Sequence, residues 1–184
     1  MATLSVGGTT VFDGSALQSG VTGDVSGVTI FPAGHVVQIQ SVETGALATG
    51  SANGPYLDDT PPQSNEGDQV LSLAITPTSA TNKLEILINI SVGVDGGTLF
   101  GALFQDSNVS ASASCCNYVS TANTMWNMGF AHTMVAATTS ATTWKLRIGT
   151  QISHTISLNG VRGGRMHGGT CKTSMIIKEY IPWA

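Results

Sequence analysis

A glycine-rich segment, residues 160–169, groups basic side chains that could bind an anion. It carries Arg162, Arg165 and His167 among five glycines. A guanidinium group binds phosphate or carboxylate through paired hydrogen bonds, so these side chains are candidates for contacting acidic groups of a surface polysaccharide. The segment lacks the GxGxxG order after a strand and the Lys-Ser/Thr pair of a phosphate-binding loop, so nucleotide binding is only weakly indicated. A basic loop joining two strands accounts for the same residues.

Aromatic side chains offer a second kind of contact, because a sugar or another ring can stack on their faces. The candidates are Tyr118, Trp126, Trp144 and Trp183. Trp144 alternates with apolar residues, which predicts a buried position. Tyr118 follows the polar stretch 110–117, which we interpret as a loop, so it is the better candidate. Together with the three side chains of the glycine-rich segment, it makes up the predicted receptor-binding set.

Three cysteines, Cys115, Cys116 and Cys171, lack the CxxC spacing of a zinc site. A disulfide between Cys171 and one member of the adjacent pair would leave one thiol, which could pair across subunits. Free, buried and unreactive cysteines are an equally good interpretation. All three are therefore candidate disulfide partners, and no metal centre is predicted from them.

The other titratable groups match no catalytic or metal-binding pattern. The histidines are dispersed, without HxH or HExxH spacing: His35, His132, His154 and His167. His132 is in register with apolar residues and is expected to be partly buried. The acids of residues 58–68 could gather around calcium, but a solvated acidic loop is the preferred interpretation. We predict no catalytic residue, cofactor or metal, and calcium binding at 58–68 stays open.

The composition favours a β-structure that is partly covered by other protein. Only 10% of the 184 residues are charged, and 22 are glycine. Residues 1–82 contain seven acids and no Lys or Arg, whereas residues 83–184 contain seven bases and four acids. The two parts could therefore pair between copies in a homo-oligomer. The net charge of −4 argues against nucleic acid as a partner.

No part of the sequence predicts insertion into a membrane. A helical span needs about 20 continuous apolar residues, and no such stretch exists. The first basic residue is Lys83, so no basic secretory leader is predicted either. We expect a protein that is made in soluble form.

Alternation of apolar and polar residues predicts about eight strands. The clearest case is residues 83–94, where six aliphatic side chains share one face of a strand and would be scattered around a helix. In residues 35–42, the same reasoning predicts that Val37 and Ile39 point inward. Turn clusters separate the segments and no helical window intervenes, so the pairing should be antiparallel. The predicted fold is an all-β, antiparallel β-sandwich of jelly-roll type.

Two polar stretches interrupt this pattern. Residues 1–33 contain short apolar groups, frequent glycines and few large side chains, which predicts an extended N-terminal arm or short hairpins. Residues 44–68 contain several prolines and read as a long loop. The predicted organisation is an arm over 1–33 and a β-sandwich domain over 34–184.

Several stretches resemble a β-sandwich domain of bacteriophage tail-fibre and other virion structural proteins. In that family a GxVxQ-like strand opens the domain, an xSITPxSxxNKxxI hairpin follows, and a TSATTYKVxxR strand comes late. The matching stretches stand here in the same order: GHVVQI at 34–39, LSLAITPTSATNKLEI at 71–86, TTSATTWKLRI at 138–148, and the closing SMIIKEY at 174–180. The first residues, SVGGTTVF at 5–12, also resemble the opening of such proteins.

The resemblance implies a virion structural protein without enzymatic activity, made in the host cytoplasm. It implies a homotrimeric tail fibre or adhesin subunit that contacts the host surface, with the arm attaching it to tail or baseplate proteins or winding the trimer. The alternative is a capsid decoration protein, in which the arm clamps the head lattice. The pair Cys115–Cys116 and the segment 160–169 depart from the family pattern.

Overall fold

The computed structural model describes residues 3–6, 9–13, 16–17, 24–25, 28–29, 32–55 and 58–183. Its first part contains five short strands, which are β1 (Thr3–Val6), β2 (Thr9–Asp13), β3 (Ala16–Leu17), β4 (Asp24–Val25) and β5 (Val28–Thr29). Strands β1 to β3 form an antiparallel sheet, and β4 pairs with β5 in antiparallel orientation. Much of the predicted arm, residues 1–33, lies outside the described residues, so its role and the boundary at residue 33 stay predictions.

The remaining strands form two facing sheets. They are β6 (Val36–Thr44), β7 (Ala48–Gly50), β8 (Asp68–Ile75), β9 (Lys83–Val94), β10 (Gly97–Gln105), β11 (Ala113–Val119), β12 (Thr124–Val135), β13 (Thr142–Thr150), β14 (Ile156–Leu158), β15 (Gly160–Val161), β16 (Gly164–Arg165) and β17 (Thr173–Tyr180). A short 3-10 turn spans His167–Gly169. In the described part of the chain, no helix is long and apolar enough to cross a bilayer.

Strand pairing confirms the predicted antiparallel jelly-roll sandwich. The first sheet has the order β11-β10-β13-β8. In the second sheet, the long strand β9 pairs with β12 along one edge. Along its other edge it pairs first with β17 and then with β14. Strand β17 pairs in turn with β6, and β14 pairs with β7. Every pairing within these two sheets is antiparallel. Long connections between sequence-distant strands are typical of this architecture.

The space between the sheets is filled by the alternating apolar residues. In β9, the side chains of Leu84, Ile86, Ile90 and Val92 are completely buried, which confirms the predicted inward face. Trp144 on β13 is also completely buried, as predicted. Burial of each such side chain contributes roughly 1.5–3 kcal/mol, so this layer supplies most of the driving force for folding.

The predicted orientation of β6 is wrong. Ile39 is 57% exposed, and its register partner Lys178 lies on the outer face of β17. The neighbouring Gln38 turns inward instead and donates hydrogen bonds to Glu179 and to the carbonyl of Thr76. The buried Glu179 carboxylate needs hydrogen-bond donors. This need, and not the burial of Ile39, has therefore determined which face of β6 points inward.

A second apolar layer lies on the outer side of the first sheet. Phe100 and Phe104 of β10 point away from the main core and are nevertheless buried. The long loop, described over residues 51–55 and 58–67, covers this side, with Gly54 and Gly67 against Phe100. Arg147 fastens the loop, because its Nε and Nη2 donate to the carbonyls of Glu66 and Gly67 at 2.8 and 2.6 Å.

We expect Gly67→Ala to destabilise the protein clearly more than Gly163→Ala. Both glycines have left-handed backbones, with φ of +67° and +69°, which cost a residue with a Cβ about 1 kcal/mol. At Gly67 the added Cβ would also lie 2.6 Å from the carbonyl oxygen of Ile148 and 2.7 Å from Phe100, whereas at Gly163 it meets nothing within 4 Å. Urea unfolding of both variants measures the difference, and equal losses would contradict this account of the loop.

Candidate functional site

A buried carboxylate organises the loop between β8 and β9. The carboxylate of Glu179, on β17, is completely buried. It accepts hydrogen bonds from the backbone N–H and hydroxyl of Thr78, at 2.9 and 2.7 Å, and from the side-chain amides of Asn82 and Gln38. The backbone N–H of Ser79 is a further donor, at 3.3 Å. These donors come from parts of the sequence that are far apart, so the carboxylate joins β6, β17 and the 76–82 loop.

The environment of Glu179 favours its charged form. Burial by itself would raise the pKa of the Glu179 carboxyl. The hydrogen bonds from Gln38, Asn82 and Thr78 act in the opposite direction and prevail, so the pKa is lower than its ordinary value. Glu179 is therefore a structural carboxylate, held ionised by its donors.

The predicted basic residues lie together on one projecting hairpin. Arg162 lies in the turn between β15 and β16, Arg165 lies in β16, and His167 begins the 3-10 turn. All three side chains are exposed. The hairpin lies over the outer face of the second sheet, since a Cβ at Gly93 of β9 would be 2.4 Å from the Gly160 carbonyl oxygen. Arg162 also lines a polar pocket of about 210 Å³ at the end of the sandwich.

Asn159 anchors this hairpin to the sandwich. It is completely buried and has a left-handed backbone with φ of +57°. Its Nδ2 donates to the carbonyls of Thr44 and Ala46 at 3.0 and 2.9 Å, and its Oδ1 accepts from the Thr173 hydroxyl at 3.0 Å. Asn159 thus makes the bend between β14 and β15, and its side-chain amide is used inside the protein.

Tyr118 lies elsewhere, on the outer face of the first sheet. The interpretation of residues 110–117 as a loop is wrong from residue 113 onward, because β11 spans Ala113–Val119. The small residues of this strand gave no aliphatic alternation by which to recognise it. Tyr118 is 70% exposed and pairs with Thr98 of β10. The predicted receptor-binding residues therefore form two groups, on opposite sheets.

A cleft of about 190 Å³ lies beside Tyr118. Its floor includes Phe100, one wall is the loop through Asp58 and Thr60, and the other wall includes Ser114 and Cys116 of β11. Sequence reasoning did not bring these residues together, because the cleft depends on a loop that packs against a strand more than 50 residues later. No local spacing signals such a contact.

The three cysteines are free thiols in the structure. Cys115 and Cys116 lie on β11 in the first sheet, whereas Cys171 precedes β17 in the second. A disulfide within the chain and pairing across subunits both stay predictions. Cys115 packs against the core, and burial raises the pKa of its thiol to about 11. Cys116 points outward and is exposed.

We expect iodoacetamide to alkylate Cys116 at least tenfold faster than Cys115 at pH 8. A rise of two pKa units lowers the thiolate fraction of Cys115 about 100-fold, and only the thiolate reacts. Two matched variants separate the thiols: Cys115→Ser/Cys171→Ser keeps Cys116, and Cys116→Ser/Cys171→Ser keeps Cys115. Mass spectrometry gives the rates. Similar rates would show that the β11 register is wrong.

No group of three or more His, Cys, Asp or Glu side chains converges on a metal-sized site within the described ranges. Glu66 accepts from the backbone N–H of Gln63, and Asp58 accepts from that of Thr60 at 2.8 Å. The ring centroids of His132 and Trp144 are 5.8 Å apart. Burial lowers the pKa of His132. The Nδ1 atom of His154 is 3.1 Å from a carboxylate oxygen of Asp95.

The strand order defines a class of protein, the antiparallel jelly-roll sandwiches. No family model and no curated protein matches the chain. Among solved structures, Eiger TNF from S. frugiperda shares 10% identity at a TM-score of 0.47, covering 79% of this chain and 95% of its own. The infectious bursal disease virus Gx strain structure shares 13% identity at 0.36, with coverage of 79% and 37%.

A third similar structure is the enzymatically active domain of bacteriophage CBA120 tailspike protein 4. It shares 13% identity at a TM-score of 0.28, covering 68% of this chain and 19% of that one. Likeness at these levels says nothing about what this chain does. Its function has to be argued from its own residues.

Proposed function

We propose that the chain is a structural protein of a bacteriophage particle that acts without catalysis. More narrowly, it is a homotrimeric tail-fibre or adhesin subunit that contacts the host surface. The observation that carries this proposal is the assembly around Glu179. The resemblance to phage virion proteins rests on short motifs made of common strand and turn residues, and each alone is weak.

Three of those motifs meet at one carboxylate. Gln38 belongs to the opening GHVVQI strand, Thr78 and Asn82 belong to the TPTSATNK turn, and Glu179 belongs to the closing SMIIKEY strand. Motifs that match by chance have no reason to converge in space. Their convergence indicates that they describe one packing unit, which supports the family resemblance as a whole.

A partly apolar surface supports the trimer. The outer face of the second sheet carries a cross-strand row of Val36, Tyr180, Lys83 and Val135. Val36 and Val135 are 41% and 48% exposed, and Ile39 in the next row is 57% exposed. Large exposed apolar side chains that are grouped on one face of a sheet are typical of surfaces that other protein covers.

Light scattering coupled to size exclusion tests the oligomer. The expected mass is three times that of the chain, and Ile39→Arg should shift it towards the monomer. The matched control is Ile152→Arg, since Ile152 is 68% exposed but lies in the loop after β13. A monomeric wild-type protein contradicts the trimer.

The capsid decoration alternative uses the same trimer and differs in its place on the particle. Quantitative gel analysis of purified particles distinguishes the two. A tail fibre is expected in a few to tens of copies, whereas a protein that covers the head is expected in hundreds. Its absence from particles would contradict both.

A further inference from the structure

We infer that the cleft between the 58–62 loop and strand β11 binds a neutral sugar ring of a host-surface glycan. This inference rests on the proposed role in host contact and names the place and the ligand class. The cleft is lined by an apolar floor, Phe100, which is 4% exposed. Its volume of about 190 Å³ is below the roughly 300–1,000 Å³ of pockets for drug-sized ligands, and so suits one ring.

One end of the loop wall, residues 62–64, is tied down before any ligand arrives. Pro62 accepts from the backbone N–H of Ala111 at 2.8 Å, and Ser64 donates to the carbonyl of Val109 at 2.7 Å. Gln63 and Ser110 form an antiparallel bridge between these two bonds. The loop is therefore tied to the segment that leads into β11. A site that is formed in advance spends little binding free energy on ordering.

The polar groups around the cleft match sugar hydroxyls. Thr60, Thr98 and Ser114 contribute hydroxyls to its lining, and Asp58 contributes a carboxylate. One Asp58 oxygen accepts from the backbone N–H of Thr60, which orients the group. Its other oxygen makes no hydrogen bond to a described residue and can accept from a ligand. Hydroxyls accept and donate, as a ring of sugar hydroxyls requires.

Charge sets the class of sugar. The described lining residues include no Lys or Arg, and Asp59 adds a second carboxylate in the adjoining groove. Uronic or sulfated sugars would meet repulsion here, whereas neutral rings would not. Tyr118, which is 70% exposed beside Thr98, supplies apolar area at the rim of the cleft, whereas Phe100 contributes only the small part of its ring that is not buried. Aromatic faces bury the C–H side of a sugar ring at low entropic cost.

The ligand can extend beyond one ring. A shallower groove of about 320 Å³ continues from the cleft along the start of β11 and shares Asp58, Thr60 and Ser114 with it. An oligosaccharide fits this arrangement when one ring lies in the cleft and the following rings lie in the groove. The arginine-bearing hairpin lies on the other sheet and takes no part in this site.

Titration of the full chain with three trisaccharides tests the inference. The probes are maltotriose and triacetylchitotriose, which are neutral, and trigalacturonate, which is acidic. We expect at least one neutral probe to bind and to shift amide NMR signals of residues 58–60 and 112–118. Trigalacturonate should bind at least tenfold more weakly. Failure of both neutral probes at millimolar concentration, or preference for trigalacturonate, overturns the inference.

Two variants locate the binding site. Asp58→Ala should lower the affinity for the neutral probe at least tenfold, and Ser114→Phe should abolish binding of the probe because the phenyl ring fills the cleft. The matched control is Ser140→Phe, because Ser140 is exposed in the turn after β12. Thermal unfolding of all three checks that they fold. Unchanged affinity in both cleft variants, with intact folding, overturns the proposed site.

Adsorption of the protein to host cells distinguishes failure of the cleft inference from failure of the proposed adhesin function. Suppose that the wild-type protein adsorbs to host cells and the two cleft variants adsorb equally well. The cleft inference then fails while the adhesin role stands. If instead the protein is absent from particles and adsorbs to no host, the adhesin role fails, and the trisaccharide titration alone decides the cleft.

Discussion

Glu179→Ala is expected to lower the free energy of unfolding by about 3 kcal/mol or more. The change removes the acceptor shared by Thr78, Asn82 and Gln38 and leaves their donors buried. Hydrogen bonds to a charged group contribute roughly 1.5–3 kcal/mol each, and an unsatisfied buried donor adds its own desolvation cost. Urea unfolding at pH 7 measures the loss.

The matched control is Glu85→Ala. Glu85 lies on the outer face of β9 and forms a partly exposed ion pair with Lys178, with a separation of 3.0 Å between Oε2 and Nζ. Pairs of this kind contribute about 1 kcal/mol or less. Equal losses from the two variants would mean that the Glu179 network does not hold the loop.

The same carboxylate gives the protein a pH dependence. The pKa of Glu179 in the folded protein is lower than in the unfolded chain, so the unfolded state binds the proton more readily. The resulting stability is fully present above the unfolded value and is lost as the pH falls through the folded value, below about pH 5. Glu179→Gln cannot ionise there, so its stability should fall less over this range. Parallel profiles for the two proteins would contradict the assignment.

Asn159→Ala is expected to cost about 3 kcal/mol and to loosen the basic hairpin. The change leaves the carbonyls of Thr44 and Ala46 without their donor, and alanine tolerates the left-handed backbone poorly. Because Asn159 anchors β15, trypsin should then cleave after Arg162 and Arg165 faster than in the wild type. Urea unfolding and timed proteolysis with mass spectrometry give both readouts.

Asn159→Gly separates the two causes. Glycine keeps the left-handed backbone and loses only the amide, so it should be about 1 kcal/mol more stable than Asn159→Ala. Asn127→Ala serves as the surface control, because Asn127 is exposed on β12. If Asn159→Gly matched the wild type, the buried amide would have no anchoring role.

The class of fold could be predicted because most of its strands bury one face. Alternation in residues 83–94 and at Trp144 follows directly from a pleated strand with one side in the core. The method failed where the inward positions are not aliphatic. In β6 the inward Gln38 serves Glu179, and in β11 the inward residues include Cys115 and Asn117.

The candidate sites were less predictable than the fold. The basic hairpin is local, so its residues were recognisable from sequence spacing alone. The cleft beside Tyr118 joins Pro55 and residues 58–62 to β10 and β11, and no sequence period encodes which loop covers which sheet. Glu179 could be identified only as part of a closing strand, because its donors lie about 100 or more residues away along the chain.

The most direct test of the central claim is to locate this chain in the phage particle by cryo-electron microscopy at a resolution that resolves side chains. The account predicts threefold density at the tail or baseplate, with the 58–62 loop and β11 facing outward. Density spread over the capsid lattice would contradict the adhesin role and favour the decoration alternative. A particle without this density would contradict the virion assignment altogether.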